Sequence, residues 1–336
     1  MKAIVFDQMG PPLEVLQLRE VPVPEPREGE VQLRLLSASI NPGDFLFVQG
    51  LYPEPKKPAL PGQVAGNHGA GIITRVGKGV VSWEPGTLVA FSHFDSWAEH
   101  VALPAERLIR LPPDYPLEKA SQFFNIITAW DLLERANVRS GQWLALTAGN
   151  STVATLVAQF ARLRGVKVLS IVRQRQATLD LESLGVSAVL ALSDGRSDLG
   201  ARVRALTDGL GVHGVIDCVG GALLEALIQE SAPGGQVIVY GGFSPERFSL
   251  HNFDLLMKDL HLGAYVYRYF FDAPRQEDEA LLQHLVKLSA PASFQVPLGA
   301  SHALEDFKLA VEESLGRPEA GKRFFRMPKE STVSGR

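Results

Sequence analysis

Hydrophobic and polar positions change their spacing once along the chain, near Leu117. Before that point, segments such as Lys2–Phe6 and Glu30–Ser39 have the polar and apolar pattern of half-buried β-strands. Glycine and proline separate these segments, and Gly66–Gly71 places glycines where two backbones must approach closely. Short strands with glycine-rich turns predict a small, curved, barrel-like β domain.

After Leu117, apolar strand patterns alternate with helical ones. Trp143–Thr147 and Val166–Val172 predict buried strands, and between them apolar residues recur at helical spacing from Val153 to Ala161. The pattern continues with a helix at Thr178–Leu184, a strand at Ala188–Leu192, a helix at Leu199–Leu206, and strands at Val215–Val219, Gln236–Tyr240 and His261–Tyr265. Six strands separated by helices predict a doubly wound parallel α/β sheet.

The C-terminal part is predicted to return to the first domain. It has helical patterns at Glu277–Leu288 and Ala303–Ser314, followed by the basic segment Gly321–Arg326. The predicted division is therefore 1–116 plus 267–328 for the β domain and 117–266 for the α/β domain.

Composition narrows the classes of function. The chain has 336 residues, of which 46% are hydrophobic and 21% charged, and its net charge of −4 is too mild to favour nucleic acid or an anionic membrane. Its one cysteine, Cys218, cannot form an intrachain disulfide or a four-cysteine zinc site. Without a secretory signal or a membrane-spanning segment in view, we expect a cytoplasmic protein with no membrane or nucleic-acid partner.

The turn after the first strand of the α/β domain is a candidate phosphate site. A helix N-terminus at this edge offers unpaired N–H groups. A dinucleotide-binding turn usually has three glycines, but this turn has only Gly149. It is followed by Asn150, Ser151, Thr152 and Val153. The Ser151 and Thr152 hydroxyls can donate to a pyrophosphate; the alternative is that Ser151 only caps the helix.

Two arginines follow the second strand of the α/β domain. An NAD-selective site tends to have an Asp or Glu there for the ribose hydroxyl. Here the chain has Arg173 and Arg175, whose guanidinium groups suit a 2′-phosphate, so this edge predicts NADPH as the cofactor. The alternative is a pair of solvated surface arginines.

Several short segments resemble the medium-chain dehydrogenase/reductase superfamily over nearly the whole chain. They are Ile40–Asp44, Gly50–Pro53, Gly66–Gly71, Gly77–Val80, Tyr240–Gly242 and Gly321–Lys322. The resemblance implies a six-stranded Rossmann domain inserted in a GroES-like β-barrel domain. It also implies a homodimer through the last Rossmann strand.

Two zinc-independent branches of that superfamily compete, quinone oxidoreductases and enoyl-thioester reductases. Asn150–Val153 and Arg173–Arg175 resemble the second branch more closely. The chain departs from the family at Ala154, whose methyl group is expected to push a pyrophosphate outward. It departs again at His68, where both branches usually have an acidic residue.

The resemblance implies roles for further residues. The residues expected to contact the cofactor are Thr128, Cys218, Tyr240, Gly241 and Gly242. Cys218 is expected to act mainly in packing. Tyr52 matches the family's proton-donating tyrosine, and Asn41 is expected to help hold the nicotinamide or the substrate. The alternative for Tyr52 is a packing role. Asp44, Tyr267 and Phe270 are expected at the substrate pocket. The alternative for the two aromatic residues is an oligomer interface.

No metal is expected at this site. A catalytic zinc needs three protein ligands, commonly Cys and His, and the segment around His68 has no cysteine and only Asp44 as a further hard ligand. We therefore expect His68 to be structural. Without a metal, the acceptor must already be electrophilic, such as a quinone or a C=C bond conjugated to a carbonyl.

Three functions remain open at this stage. They are an NADPH-dependent reductase of enoyl thioesters or enals, an NADPH:quinone oxidoreductase, and a non-catalytic NADPH-binding protein. The partner is a small molecule in the first two. A thioester of CoA would favour a basic patch, which Lys56, Lys57 and Arg268 could supply.

Overall fold

The computed structural model describes residues 1–54, 56–176, 178–194, 198–317 and 321–328. The chain divides into two compact units, which we call the β unit (Met1–Phe124 with Arg268–Arg336) and the α/β unit (Asn125–Tyr267). The divisions follow Phe124 and Tyr267, whereas the sequence predicted divisions after residues 116 and 266. The first lies later because Lys119 donates through Nζ to the Ser289 and Pro291 carbonyls at 2.9 and 2.7 Å, within the β unit.

The β unit is formed mainly by short strands. Its elements before the α/β unit are β1 (Lys2–Phe6), α1 (Pro12–Val15), β2 (Gln17–Glu20), β3 (Glu30–Ser39), α2 (Pro42–Val48), β4 (Gln63–Val64), β5 (His68–Val76), β6 (Leu88–Ser92), β7 (His100–Pro104), β8 (Leu108–Arg110) and α3 (Leu117–Ala120).

The elements of the α/β unit and of the C-terminal return alternate more regularly. They are α4 (Phe123–Ala136), β9 (Trp143–Leu146), α5 (Thr152–Leu163), β10 (Lys167–Val172), β11 (Ala188–Ala191), α6 (Leu199–Leu206), β12 (Val212–Asp217), α7 (Gly221–Gln229), β13 (Ser231–Val239), α8 (Asn252–Leu256), β14 (His261–Ala264), α9 (Glu279–Ser289), β15 (Leu298–His302), α10 (Phe307–Gly316) and β16 (Lys322–Arg326).

The larger sheet of the β unit has the order β15-β16-β3-β5-β6-β8, and β7 also pairs with β3. A smaller sheet has the order β2-β1-β4. β16 runs antiparallel to β3, with Phe324 opposite Ser39, so the C-terminal strand lies beside the strand that precedes α2. Fully buried aromatic side chains, including Phe47, Phe91 and Trp97, fill the core of this unit.

The sheet of the α/β unit has the order β11-β10-β9-β12-β13-β14, and all its described pairings are parallel. The predicted doubly wound sheet is therefore confirmed. Gly149 is needed where the turn after β9 passes β10, since a Cβ there would lie 2.5 Å from Cβ and 2.9 Å from Cα of Ser170.

The predicted helix at Thr178–Leu184 is wrong, because this segment forms turns. Asp180 accepts from the Ser183 N–H through Oδ1 at 3.1 Å, and its carbonyl accepts from the Ser183 hydroxyl at 2.9 Å. Such local side-chain bonds compete with helical pairing.

In the described part of the chain, no helix has the length and apolar character needed to cross a membrane.

Candidate active site

Ser151 is the N-cap of α5 at the edge of the parallel sheet. Its Oγ accepts from the Ala154 N–H at 3.3 Å, so the capping role considered for Ser151 is present. Thr152 and Val153 open the helix, and Asn150 precedes the cap. The Ala154 side chain is buried, and the expected outward push of its methyl group on a pyrophosphate stays a prediction.

A depression of about 160 Å³ lies where β10 ends. It is lined by Asn150, Val172, Gln174, Arg175, Gln176, Leu179, Asp180, Leu181, Glu182 and Val189. Arg175 donates through Nη2 to the Val189 carbonyl at 2.9 Å, which holds its guanidinium at the rim. Arg173 is exposed and is not part of the lining. The sequence pattern did not single out Gln174 and Gln176, although they follow the strand end directly.

The ends of β9, β12 and β13 are joined by a hydrogen-bond chain. The Thr147 hydroxyl donates to Asp217 Oδ1 at 2.7 Å and accepts from the Cys218 N–H at 3.0 Å, and the Tyr240 N–H donates to the Asp217 carbonyl at 2.8 Å. Burial raises the pKa of the Cys218 thiol to about 11, which agrees with a packing role. A Cβ at Gly241 would lie 3.0 Å from the Cys218 Cβ.

Gly242 and Thr128 are the two other residues that were expected to contact the cofactor. No atom of the described residues lies within 4 Å of a Cβ built at Gly242, which leaves open space above it. Thr128 is half-buried in α4.

In the β unit, Tyr52 lies directly against the first turn of α2. A Cβ at Gly43 would be 2.6 Å from the Tyr52 hydroxyl oxygen, so the glycine makes room for that hydroxyl. The Phe270 ring meets the Tyr52 ring edge-on, with centroids 5.0 Å apart. Burial, and to a smaller extent the Asp44 carboxylate, raises the pKa of Tyr52 to about 12. Within the described residues, the Tyr52 hydroxyl makes no hydrogen bond to the protein.

Asp44 secures the start of α2. Its Oδ2 accepts from the Asn41 backbone N–H at 2.7 Å, and its Oδ1 accepts from Asn67 Nδ2 at 2.8 Å. The side chain is buried, and burial raises its pKa to about 6 against the opposing effect of these bonds. With both oxygens engaged, Asp44 supports the helix that carries Asn41 and Gly43.

The Asn41 side-chain amide connects three elements. Its Nδ2 donates to Ser39 Oγ at 2.8 Å and to His68 Nδ1 at 3.3 Å, and its Oδ1 accepts from Lys322 Nζ at 2.9 Å. A side-chain amide has only two N–H donors, so both are used. A substrate or nicotinamide group could then reach Asn41 only as a donor to its oxygen.

His68 is neutral in this arrangement. Burial first, and then the charges of Lys322 and Lys56, lowers its pKa to about 3. Its ring stacks on Phe124 with centroids 5.0 Å apart. A neutral ring that accepts at Nδ1 carries its proton on Nε2.

Lys322 is a residue to which the sequence pattern assigned no role. Burial lowers its pKa to about 8, and the Asp44 carboxylate partly offsets that effect. The bond from Lys322 to Asn41 joins residues 281 positions apart, so no local pattern could have indicated it.

The remaining expected pocket residues are divided between the units. Phe270 belongs to the β unit and Tyr267 to the α/β unit. The three basic residues considered as a patch have different partners. Lys57 donates to the Gly50 carbonyl at 3.3 Å, and Arg268 pairs with Asp278 at 3.0 Å. Lys56 instead lies over aromatic rings.

Among the described residues, no group of three or more His, Cys, Asp and Glu side chains has a metal-binding arrangement. The two groups considered as ligands are already engaged. Asp44 uses both oxygens within the protein, and His68 uses Nδ1.

Comparison with known proteins agrees with this architecture. Residues 27–113 match the alcohol dehydrogenase GroES-like domain, and residues 152–286 match the zinc-binding dehydrogenase family. The human mitochondrial enoyl-[acyl-carrier-protein] reductase is 30% identical over 329 residues, covering 94% of this chain and 85% of that protein. The Arabidopsis thaliana protein of the same name is 28% identical over 327 residues, covering 94% and 85%.

Solved structures share the fold. Escherichia coli quinone oxidoreductase complexed with NADPH superposes with a TM-score of 0.86 at 23% identity, covering 97% of this chain and 100% of that one. The mitochondrial 2-enoyl thioester reductase heterodimer of Candida tropicalis has a TM-score of 0.83 at 21% identity, covering 97% and 99%.

A Rossmann-type sheet with a capped helix at its carboxyl edge, together with a GroES-like unit, defines the dehydrogenase and reductase class of proteins. The chain belongs to the medium-chain dehydrogenase/reductase superfamily and is an oxidoreductase. The membership and the enzyme class predicted from the sequence are thereby confirmed.

Proposed function

We propose that the protein is an NADPH-dependent, zinc-independent reductase that transfers hydride to a C=C bond conjugated to a carbonyl, as in a 2-enoyl thioester or an enal. The observation that carries the proposal is the Tyr52 hydroxyl, which lies over Gly43 and has no protein partner within the described residues. A phenol in that state can donate a hydrogen bond or a proton to a reacting group.

The α/β unit supports NADPH as the cofactor. The depression after β10 is lined by Arg175 and Asn150, which suit an anionic phosphate and the polar edge of an adenosine. The capped N-terminus of α5 presents its first backbone N–H groups at the same edge of the sheet. The Escherichia coli structure with NADPH shares this fold.

Hydride is supplied by NADPH when it is bound. The chain's own residues act on the acceptor. Tyr52 stays protonated because its pKa is about 12, so it can donate to the oxygen that gains negative charge or to the carbon that must be protonated. Asn41 accepts through Oδ1 and is held by Lys322. Phe270 packs against the Tyr52 ring and limits its movement.

A zinc-free mechanism is supported by the chemistry of the available side chains. The β-unit site has no cysteine, because the one cysteine of the chain is Cys218 in the α/β unit. Binding a metal through Asp44 would break the bonds that begin α2.

An acceptor panel tests this proposal. NADPH oxidation is followed with crotonyl-CoA, an enal and a naphthoquinone under the same conditions. Turnover with the first two that exceeds turnover with the quinone supports the proposed function. Turnover with the quinone alone would indicate a quinone oxidoreductase, and tight NADPH binding with no turnover would indicate a non-catalytic protein.

Two further proposals concern the assembly and the location of the protein. A homodimer through β14 is supported by the position of this strand at the sheet edge and by the exposure of its four residues. Sedimentation analysis of the purified protein would detect a monomer if the proposal is wrong. We further propose a cytoplasmic location, which cell fractionation tests against the mitochondrial location in the names of the relatives.

A further inference from the structure

Lys56 has an unusual environment in the β unit, four residues after Tyr52. Its Nζ lies 4.7 Å from the centroid of the Phe94 ring and 5.3 Å from that of Phe270. Phe270 is the ring that packs edge-on against Tyr52. The ammonium is therefore separated from the proposed proton donor by a single aromatic ring.

Arg107, whose charge acts on Lys56, already has acceptors, as do the other two basic residues of the patch considered above. Arg107 donates through Nη1 to the Asp272 carbonyl at 2.7 Å and through Nη2 to the Phe271 carbonyl at 2.6 Å. Arg268 has Asp278, and Lys57 has the Gly50 carbonyl. Within the described residues, Lys56 has no carboxylate in ion-pair range and no hydrogen-bond acceptor.

Aromatic rings attract an ammonium through their faces and do not use its N–H donors. The Lys56 side chain is half-buried, so part of its hydration is also lost. Burial first, and then the Arg107 charge, lowers its pKa to about 8, and the group is still mainly charged at neutral pH. A partly desolvated cation with unused donors binds an anionic oxygen favourably.

We propose that Lys56 determines substrate specificity by binding a carboxylate or phosphate oxygen on the acceptor, so that the enzyme prefers an anionic acceptor to a neutral one of the same shape. The proposal rests on the proposed function and narrows its substrate class. Phe94 and Phe270 hold the ammonium in place, and its three N–H groups contact the anion.

Two acceptors of matched shape test this specificity. (E)-4-Oxo-2-pentenoate and (E)-3-penten-2-one are both enones, and they differ in having a carboxylate or a methyl group on the reacting double bond. Crotonyl-CoA adds a phosphate-bearing acceptor. In Lys56→Met we expect KM for the oxopentenoate to rise at least tenfold, with KM for the neutral enone within twofold of wild type.

The matched control is Lys57→Met, which removes the neighbouring positive charge. It should leave the KM values for both enones within twofold. Lys56→Arg keeps a cation over the rings and should recover most of the anion preference. If Lys56→Met changes both enones alike, or if Lys57→Met has the same effect, the proposal is wrong. A rise with crotonyl-CoA but not with oxopentenoate would assign the contact to phosphate.

Binding without cofactor separates this proposal from the proposed function. Calorimetric titration of the full chain with oxopentenoate should give weaker binding for Lys56→Met than for wild type and Lys57→Met. That difference is measurable even if no acceptor is turned over, in which case only the reductase assignment fails. Equal binding by all three proteins would overturn the role of Lys56.

Discussion

The α/β unit and the β unit hold their candidate functional residues in different ways. In the α/β unit, Asn150 and Ser151 follow β9, and Arg175 follows β10, the neighbouring strand of the same sheet. The Ser151 and Arg175 side chains both bond to backbone groups. In the β unit, Asn41, His68 and Lys322 come from distant segments and meet in a largely buried cluster. The topology of the sheet therefore fixes the positions of the first three residues, whichever side chains they carry. The cluster in the β unit exists only while each of its side chains is kept.

Removing the Tyr52 hydroxyl should have the largest effect. In Tyr52→Phe we expect kcat to fall by about 100-fold or more, because the acceptor loses its proton or hydrogen-bond donor. Steady-state kinetics with crotonyl-CoA measures this, and fluorescence titration should show unchanged NADPH affinity.

Tyr115→Phe is the matched control. It removes a buried hydroxyl that bonds Ser289 at 2.7 Å elsewhere in the β unit, so stability should fall by about 1 kcal/mol while kcat stays near wild type. A Tyr52→Phe enzyme with wild-type turnover would leave Tyr52 only its packing role.

Replacing the arginines after β10 should change cofactor choice. Arg173→Asp with Arg175→Ala is expected to reverse the preference from NADPH to NADH, with about a 10- to 100-fold loss of NADPH affinity. Because Arg175 lines the depression and Arg173 does not, Arg175→Ala alone should account for more of the loss than Arg173→Ala.

Dissociation constants for both cofactors measure this effect. Arg162→Ala is the control, since Arg162 also donates to a backbone carbonyl, that of Ser183 at 2.7 Å, but lies outside the depression. Unchanged NADPH affinity in the double variant would refute the assignment of these arginines.

The partly buried imidazole of His68 should make the β unit sensitive to acid. Its pKa is about 3 in the fold and about 6.5 when unfolded, so the unfolded state binds the proton first as pH falls. Stability that is present above pH 6.5 is then lost progressively down to about pH 3, and the loss at pH 5 is about 2 kcal/mol.

Urea unfolding at pH 7.5 and pH 5 measures this sensitivity. His68→Gln should show a smaller difference between the two pH values than wild type. His284→Gln, at an exposed position on α9 in the same unit, should not change the difference. An unchanged pH difference in His68→Gln would show that another group carries the acid sensitivity.

Crowding the Tyr52 hydroxyl should have the smallest effect. A methyl group at Gly43 would lie 2.6 Å from that oxygen, so Gly43→Ala should displace the hydroxyl and lower kcat by about tenfold. Gly316→Ala is the control, because nothing lies within 4 Å of a Cβ there. Equal activities would mean that the hydroxyl position has little influence on turnover.

Much of the fold followed from local pattern. The strand Glu30–Ser39 and the helix Leu199–Leu206 have the bounds that were predicted, because each is specified by its own polar and apolar spacing. The segment Thr178–Leu184 failed because the Asp180 side chain and carbonyl bond Ser183, which local hydrophobic spacing does not reveal.

By itself, the sequence determined two kinds of domain and their order along the chain, because strand and helix periodicity and turn chemistry act over a few residues. Only the tertiary structure decided that Lys322 fixes the Asn41 amide, that His68 is a neutral acceptor and that Lys56 has no counter-ion in the part of the chain that the structure describes. Those properties arise from burial and from charges far apart in the chain. They become defined only when β16 pairs with β3 and the core excludes water.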